Sequence, residues 1–109
     1  MIDNILKLVI LKVCAEKEIS TSYYFERIFL KLGIITQIGN IIEELKRNNL
    51  LNHKGLFENE QSIYKSLVTT EKGKKYYEEK IKEIVIPEGE FSEEREYRLK
   101  QYLGVHRTR

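Results

Sequence analysis

Gly33-Ile34-Ile35-Thr36-Gln37-Ile38-Gly39-Asn40-Ile41-Ile42-Glu43-Glu44-Leu45-Lys46-Arg47-Asn48-Asn49-Leu50-Leu51 is the stretch whose reading decides the rest of the chain. It reads as a turn, a helix over residues 36–49, and the entry to a strand. Gly33 can take the left-handed conformation that ends a preceding helix, and Thr36 is the expected cap of the next one. Ile38, Ile41, Ile42 and Leu45 recur at three- and four-residue spacing, so they share one buried face. At about 100° per residue, the opposite face centres on Asn40, Glu43 and Arg47, flanked by Gln37 and Glu44. Asn and Arg are side chains that hydrogen-bond adenine and guanine edges in a DNA major groove. Any amphipathic helix with a polar outside has the same pattern, so the flanks must decide.

Upstream, Ser20, Thr21 or Ser22 can cap a helix running from about Ser22 to Leu32. Its buried side is Phe25, Ile28, Phe29 and Leu32, while Tyr23, Arg27 and Lys31 point outward. Ser22 and Tyr23 then stand where a helix can touch backbone phosphate, although packing explains Tyr23 equally well. Before it lies an extended piece, Glu18-Ile19-Ser20, and before that a helix from Met1 to Lys17. The stripe of that first helix is Ile2, Ile5, Leu6, Val9 and Val13, widened by Leu8 and Leu11. Ile10 falls on the expected wet side. So apolar a helix calls for a second neighbour, either the C-terminal helix of the same chain or a partner subunit.

Downstream, Leu50-Leu51-Asn52-His53 reads as a strand, residues 54–62 as a polar loop, and Ile63 to Thr69 as a second strand. The two form an antiparallel hairpin with a long acidic tip at Glu58 and Glu60. Thr70 caps a helix over residues 71–84, with Glu71 in its first turn and Tyr77, Ile81 and Ile84 on its apolar side. Pro87 and Gly89 break the chain. Ser92 opens a last helix with a thin stripe of Phe91, Arg95, Leu99, Tyr102 and Leu103, closed by Gly104. Val105 to Arg109 is a short basic tail. The division is residues 1–86 as the main domain and 87–109 as linker, docking or dimerising helix, and tail.

Composition sets the class. At 109 residues there is material for one core, and 41% apolar against 33% charged residues is a globular balance rather than a disordered one. No apolar run reaches membrane-span length, and no basic start with a cleavage site opens the chain. A lone cysteine, Cys14, excludes an internal disulfide; it fits a small core residue in a cytoplasmic protein. Net charge is only +2, yet from Ser20 to Gly55 five basic residues face three acidic ones. His53 and His106 lack Cys or acid at ligand spacing, so no metal is expected. No Gly-rich phosphate loop or nucleophile elbow occurs, so neither a cofactor nor an enzyme is expected. The carboxylates sit among lysines on helix surfaces, where solvated ion pairs are the ordinary reading.

The order helix, strand, helix, turn, helix, hairpin, helix resembles a winged helix-turn-helix, a mainly α fold with a small antiparallel hairpin (α+β), here with an additional C-terminal helix. Two local patterns add to it. Ile41-Ile42-Glu43-Glu44-Leu45-Lys46-Arg47-Asn48-Asn49-Leu50-Leu51 resembles the ending of that family's recognition helix. Leu67-Val68-Thr69-Thr70-Glu71-Lys72-Gly73-Lys74-Lys75 resembles the Leu-Thr-x-x-Gly-Lys exit from the wing in MarR-like and PadR-like regulators, with one extra residue after the Leu.

The resemblance implies a transcriptional regulator that binds double-stranded DNA as a homodimer, with helix 36–49 in the major groove. Gln37, Asn40 and Arg47 would face bases, and Lys46, Lys54 and Lys65 would meet phosphate. Glu43 would accept from a cytosine amino group or orient Arg47. Gly39 would allow close backbone approach. The homodimer is expected through the first helix and residues 91–103. The competing expectation is a protein–protein interaction module, favoured by the acidic tip and the modest net charge.

Overall fold

The structure is a computed structural model and describes residues 2–57 and 60–105. The hairpin tip at Glu58, the side chain of Glu60 and the tail from His106 onward lie outside the described residues. Among the described residues five helices and four strands follow one another as α1 (Ile2–Glu16), β1 (Ile19–Thr21), α2 (Tyr23–Lys31), α3 (Ile38–Arg47), β2 (Leu51–Asn52), β3 (Gly55–Phe57), β4 (Glu60–Thr69), α4 (Glu71–Lys80) and α5 (Glu93–Leu103). A 3-10 turn, Ile81–Glu83, continues α4 and takes up the end of the expected longer helix. The class is α+β, mainly helical with a small antiparallel sheet.

β4 is the centre of that sheet. It pairs with β1 along one edge (Ile19 opposite Leu67) and with both β2 (Leu51 opposite Thr69) and β3 (Leu56 opposite Tyr64) along the other. β3 and the first residues of β4 fall inside the expected polar loop, so the hairpin arms are longer and the tip shorter than the letters imply. Gly55 is a poor strand residue; the ladder of Gly55-Leu56-Phe57 with β4 makes the segment a strand.

The central helix packs as its stripe dictates, with Ile38, Ile41, Ile42 and Leu45 all buried. Its start differs. Gln37 rather than Thr36 holds the cap position, in extended conformation and without a side-chain cap bond. The exit is held from three directions. Asn49 turns the chain with φ 62°, the Thr70 hydroxyl donates to the Asn49 carbonyl at 2.7 Å, and the Leu50 carbonyl accepts from the Thr70 amide at 3.1 Å. The same Thr70 oxygen accepts from the Gly73 amide at 2.9 Å, which caps α4. Gly73 is obligatory there: an added Cβ would run into the Leu50 carbonyl and the Thr69 methyl. The Thr-x-x-Gly pattern therefore does structural work, seating α4 against the end of α3.

α1 is buried nearly all round. Ile10, expected on the wet side, is fully buried along with Leu6, Val9 and Leu11, because α4 and α5 both pack on α1. Leu99 and Leu103 of α5 are likewise at 0% exposure. The Tyr77 hydroxyl of α4 donates to the Leu103 carbonyl, and Ser92 caps α5 as read. Leu99 and Leu103 thus belong to the hydrophobic core formed by the described residues, with Phe91 and Tyr102 packed against it. Ile10 and Leu11 of α1 and Leu99 and Leu103 of α5 are buried within a single chain, while Tyr97 of α5 stays exposed.

Cys14 is buried, and its thiol is pushed up to about 12 by that burial, far from thiolate reactivity. Among the described residues no helix is long and apolar enough to cross a membrane.

Candidate functional site

The exposed side of α3 is built by two anchors that fix its rotation. On one flank Lys7 of α1 reaches Glu44 at 2.6 Å, and its ammonium holds the Glu44 carboxyl below its usual value. On the other, the Tyr64 hydroxyl of β4 donates to Glu43 at 2.7 Å. Burial and that bond push the Tyr64 phenol up to about 12, so it stays a donor across the working range. Glu43 is therefore tied to the hairpin through one carboxylate oxygen, and among the described residues it makes no ion pair with Arg47. Gly39 is half-buried beside the Tyr64 ring, one ring carbon lying 3.9 Å from where a Cβ would stand.

His53 stacks edge-on against Tyr64, with ring centroids 4.8 Å apart. Its Nδ1 accepts from the Gly55 amide at 2.9 Å, which places the imidazole proton on Nε2. Nε2 is buried with no partner among the described residues. Burial first, then the nearby Lys46 ammonium, lowers the His53 pKa. Neutral His53, Tyr64 and Glu43 form a wedge between the hairpin and α3.

Between these anchors Asn40 and Arg47 lie along one exposed line of α3, with Lys46 beside them. Gln37 is exposed at the helix start, where its Oε1 accepts from Asn40 Nδ2 at 2.6 Å. Among the described residues Lys46 and Arg47 make no ion pair or side-chain hydrogen bond. Lys54 and Lys65 are exposed on the hairpin, joined by a bond from the Lys54 amide to the Lys65 carbonyl, and Lys54 also reaches Glu18 at 3.9 Å. The structure thus brings five of the sequence-selected residues onto α3 and two onto the hairpin.

The remaining two belong elsewhere. Ser22 is at 0% exposure; its hydroxyl accepts from the Tyr64 amide at 2.9 Å, so it serves the β4 edge and cannot meet a phosphate. Tyr23 is exposed, but it borders a different feature, a groove of 560 Å³ between α2 and the start of α3. Leu30 and Ile35 at that groove escaped the sequence reading. Leu30 falls off the buried stripe and Ile35 sits in a turn, so apolarity at a position where the pattern demands none was the available signal.

Among the described residues no group of His, Cys, Asp and Glu is placed to hold a metal ion. Comparison with protein-family models, with curated proteins and with solved structures gives no match.

Proposed function

We propose that the chain is a winged helix-turn-helix regulator of the MarR-like and PadR-like kind, which lays α3 in the major groove of double-stranded DNA. The observation that carries this reading is the exposed line Asn40–Arg47 with Lys46, an amide and two cations that make no ion pair among the described residues, Arg47 being felt only at longer range by the Glu44 carboxylate. Arg47 suits a guanine edge and Asn40 an adenine edge once it exchanges Gln37 for the base. Lys46, Lys54 and Lys65 supply phosphate contacts that fix register without reading sequence. The strand order and the seating of α3 against α1 and β4 support the winged-helix assignment.

A protein-interaction module is the second reading, favoured by Glu43 and Glu44 on α3 and by the apolar groove beside α2. Fluorescence anisotropy against genomic fragments across a salt series separates the two. The expected result is binding that weakens steeply with salt, with Asn40→Ala and Arg47→Ala each costing about 1 to 3 kcal/mol on the best fragment. Thermal melts of both variants should match wild type. Undiminished binding by both would exclude α3 as the reader, and no binding at low salt would leave the second reading.

A further inference from the structure

The outer side of α2 and the turn after it expose Tyr23 at 52%, Leu30 at 67% and Ile35 at 92%. They edge the 560 Å³ groove, whose walls include the buried Phe29 and Ile38. Exposed apolar groups gathered on one face mark an interaction surface. Between Tyr23 and Leu30, on the same face of α2, stand Glu26 and Arg27, both exposed and without an ion pair or side-chain hydrogen bond among the described residues.

We propose that this face is a two-fold interface at which a second copy of the chain packs its α2 antiparallel on the first. The occupant follows from charge and symmetry. A two-fold contact must be complementary to itself, residue i meeting j while j meets i. An antiparallel pair of α2 helices centred between Glu26 and Arg27 sets Glu26 against the partner's Arg27 and Arg27 against the partner's Glu26. The same register sets Tyr23 against the partner's Leu30, an aromatic on an aliphatic, at both ends of the contact. Ile35, beyond the C-terminal end of α2, then extends the apolar strip toward the start of the partner's α2. One acid and one base side by side make the patch its own counterpart, whereas a patch for a foreign acidic or basic partner would carry one sign.

A contact built on one short helix lies at the small end of specific interfaces, so a dissociation constant on the order of 10 to 100 μM is expected. The proposal does not rest on DNA binding. It assigns Tyr23 to protein packing rather than to phosphate.

Sedimentation equilibrium of the full chain up to about 500 μM tests it, well above that dissociation constant. Wild type should show a monomer–dimer equilibrium. Glu26→Arg alone and Arg27→Glu alone should each weaken it at least about tenfold, because like charges then face each other twice. The double reversal, Glu26→Arg with Arg27→Glu, should restore it. Leu30→Ser with Ile35→Ser should abolish it while the thermal melt shows the fold intact. A wild-type monomer throughout, a dimer indifferent to these changes, or a double reversal no better than the singles would each overturn the interface.

Discussion

Two glycines inside helices carry opposite obligations. At Gly73 a methyl group would strike the Leu50 carbonyl, and forcing volume into such a contact costs about 1 to 3 kcal/mol. At Gly39 the nearest group is a Tyr64 ring carbon at 3.9 Å, an ordinary contact, so alanine should recover about 0.5 to 1 kcal/mol of helix stability. Urea denaturation should therefore show Gly73→Ala destabilised and Gly39→Ala stabilised. A Gly73→Ala variant as stable as wild type would contradict the close approach of α4 to Leu50, and a destabilised Gly39→Ala would contradict the open contact at Tyr64. His53 gives a second prediction at this scale. Its folded pKa lies below the ordinary 6.5, so as pH falls the unfolded chain takes up the proton first and stability drops. The loss runs from about 6.5 down to the folded value and then levels off. His53→Asn should flatten that part of the profile between about pH 7.5 and pH 5.5, measured by urea midpoint. A profile as steep as wild type would place the proton elsewhere.

At the scale of elements, α5 separates what its sequence announces from what it conceals. Ser92 and Gly104 mark its ends legibly, because capping chemistry is local. Its docking place is not local: a thin stripe is satisfied equally by its own α1 or by another chain, and only the assembled fold shows Leu99 and Leu103 closed against α1. Leu99→Ala should cost about 2 to 5 kcal/mol in a thermal or urea melt. Leu99→Glu with Leu103→Glu should strip α5 from α1 and lose the cooperative melt; a normally folded product would contradict the docking. The same division runs through the rest of the chain. The α3 isoleucines and the exposure of Asn40 and Arg47 follow from a period of about 3.6 residues and are readable. The Glu43–Tyr64 bond, the diversion of the Ser22 hydroxyl to β4 and the strand at Gly55–Phe57 all depend on distant pairing, which no local pattern encodes. Thr36 lost the cap position to Gln37 by a single residue, within the slack that helix ends allow.

Across the whole molecule one core joins all five helices, so the chain's associations depend on surface features rather than on unfinished packing. α1 and α5 have nothing left to offer a partner at Leu99 and Leu103, while α2 and the turn after it keep three large apolar side chains in water. The line on α3 and the stripe on α2 are separate sets of residues, and each can be altered without touching the other. β4 imposes a different condition. It is the partner of β1, β2 and β3 alike, and it arrives after all of them in the chain. During synthesis, N-terminus first, the three short strands emerge with no edge to join, and Ile19 and Leu51 have no ladder to enter until Leu67 and Thr69 leave the ribosome. Folding of this protein is therefore held back on the ribosome: more than half the polypeptide must wait, unclosed and within reach of chaperones, for one late strand.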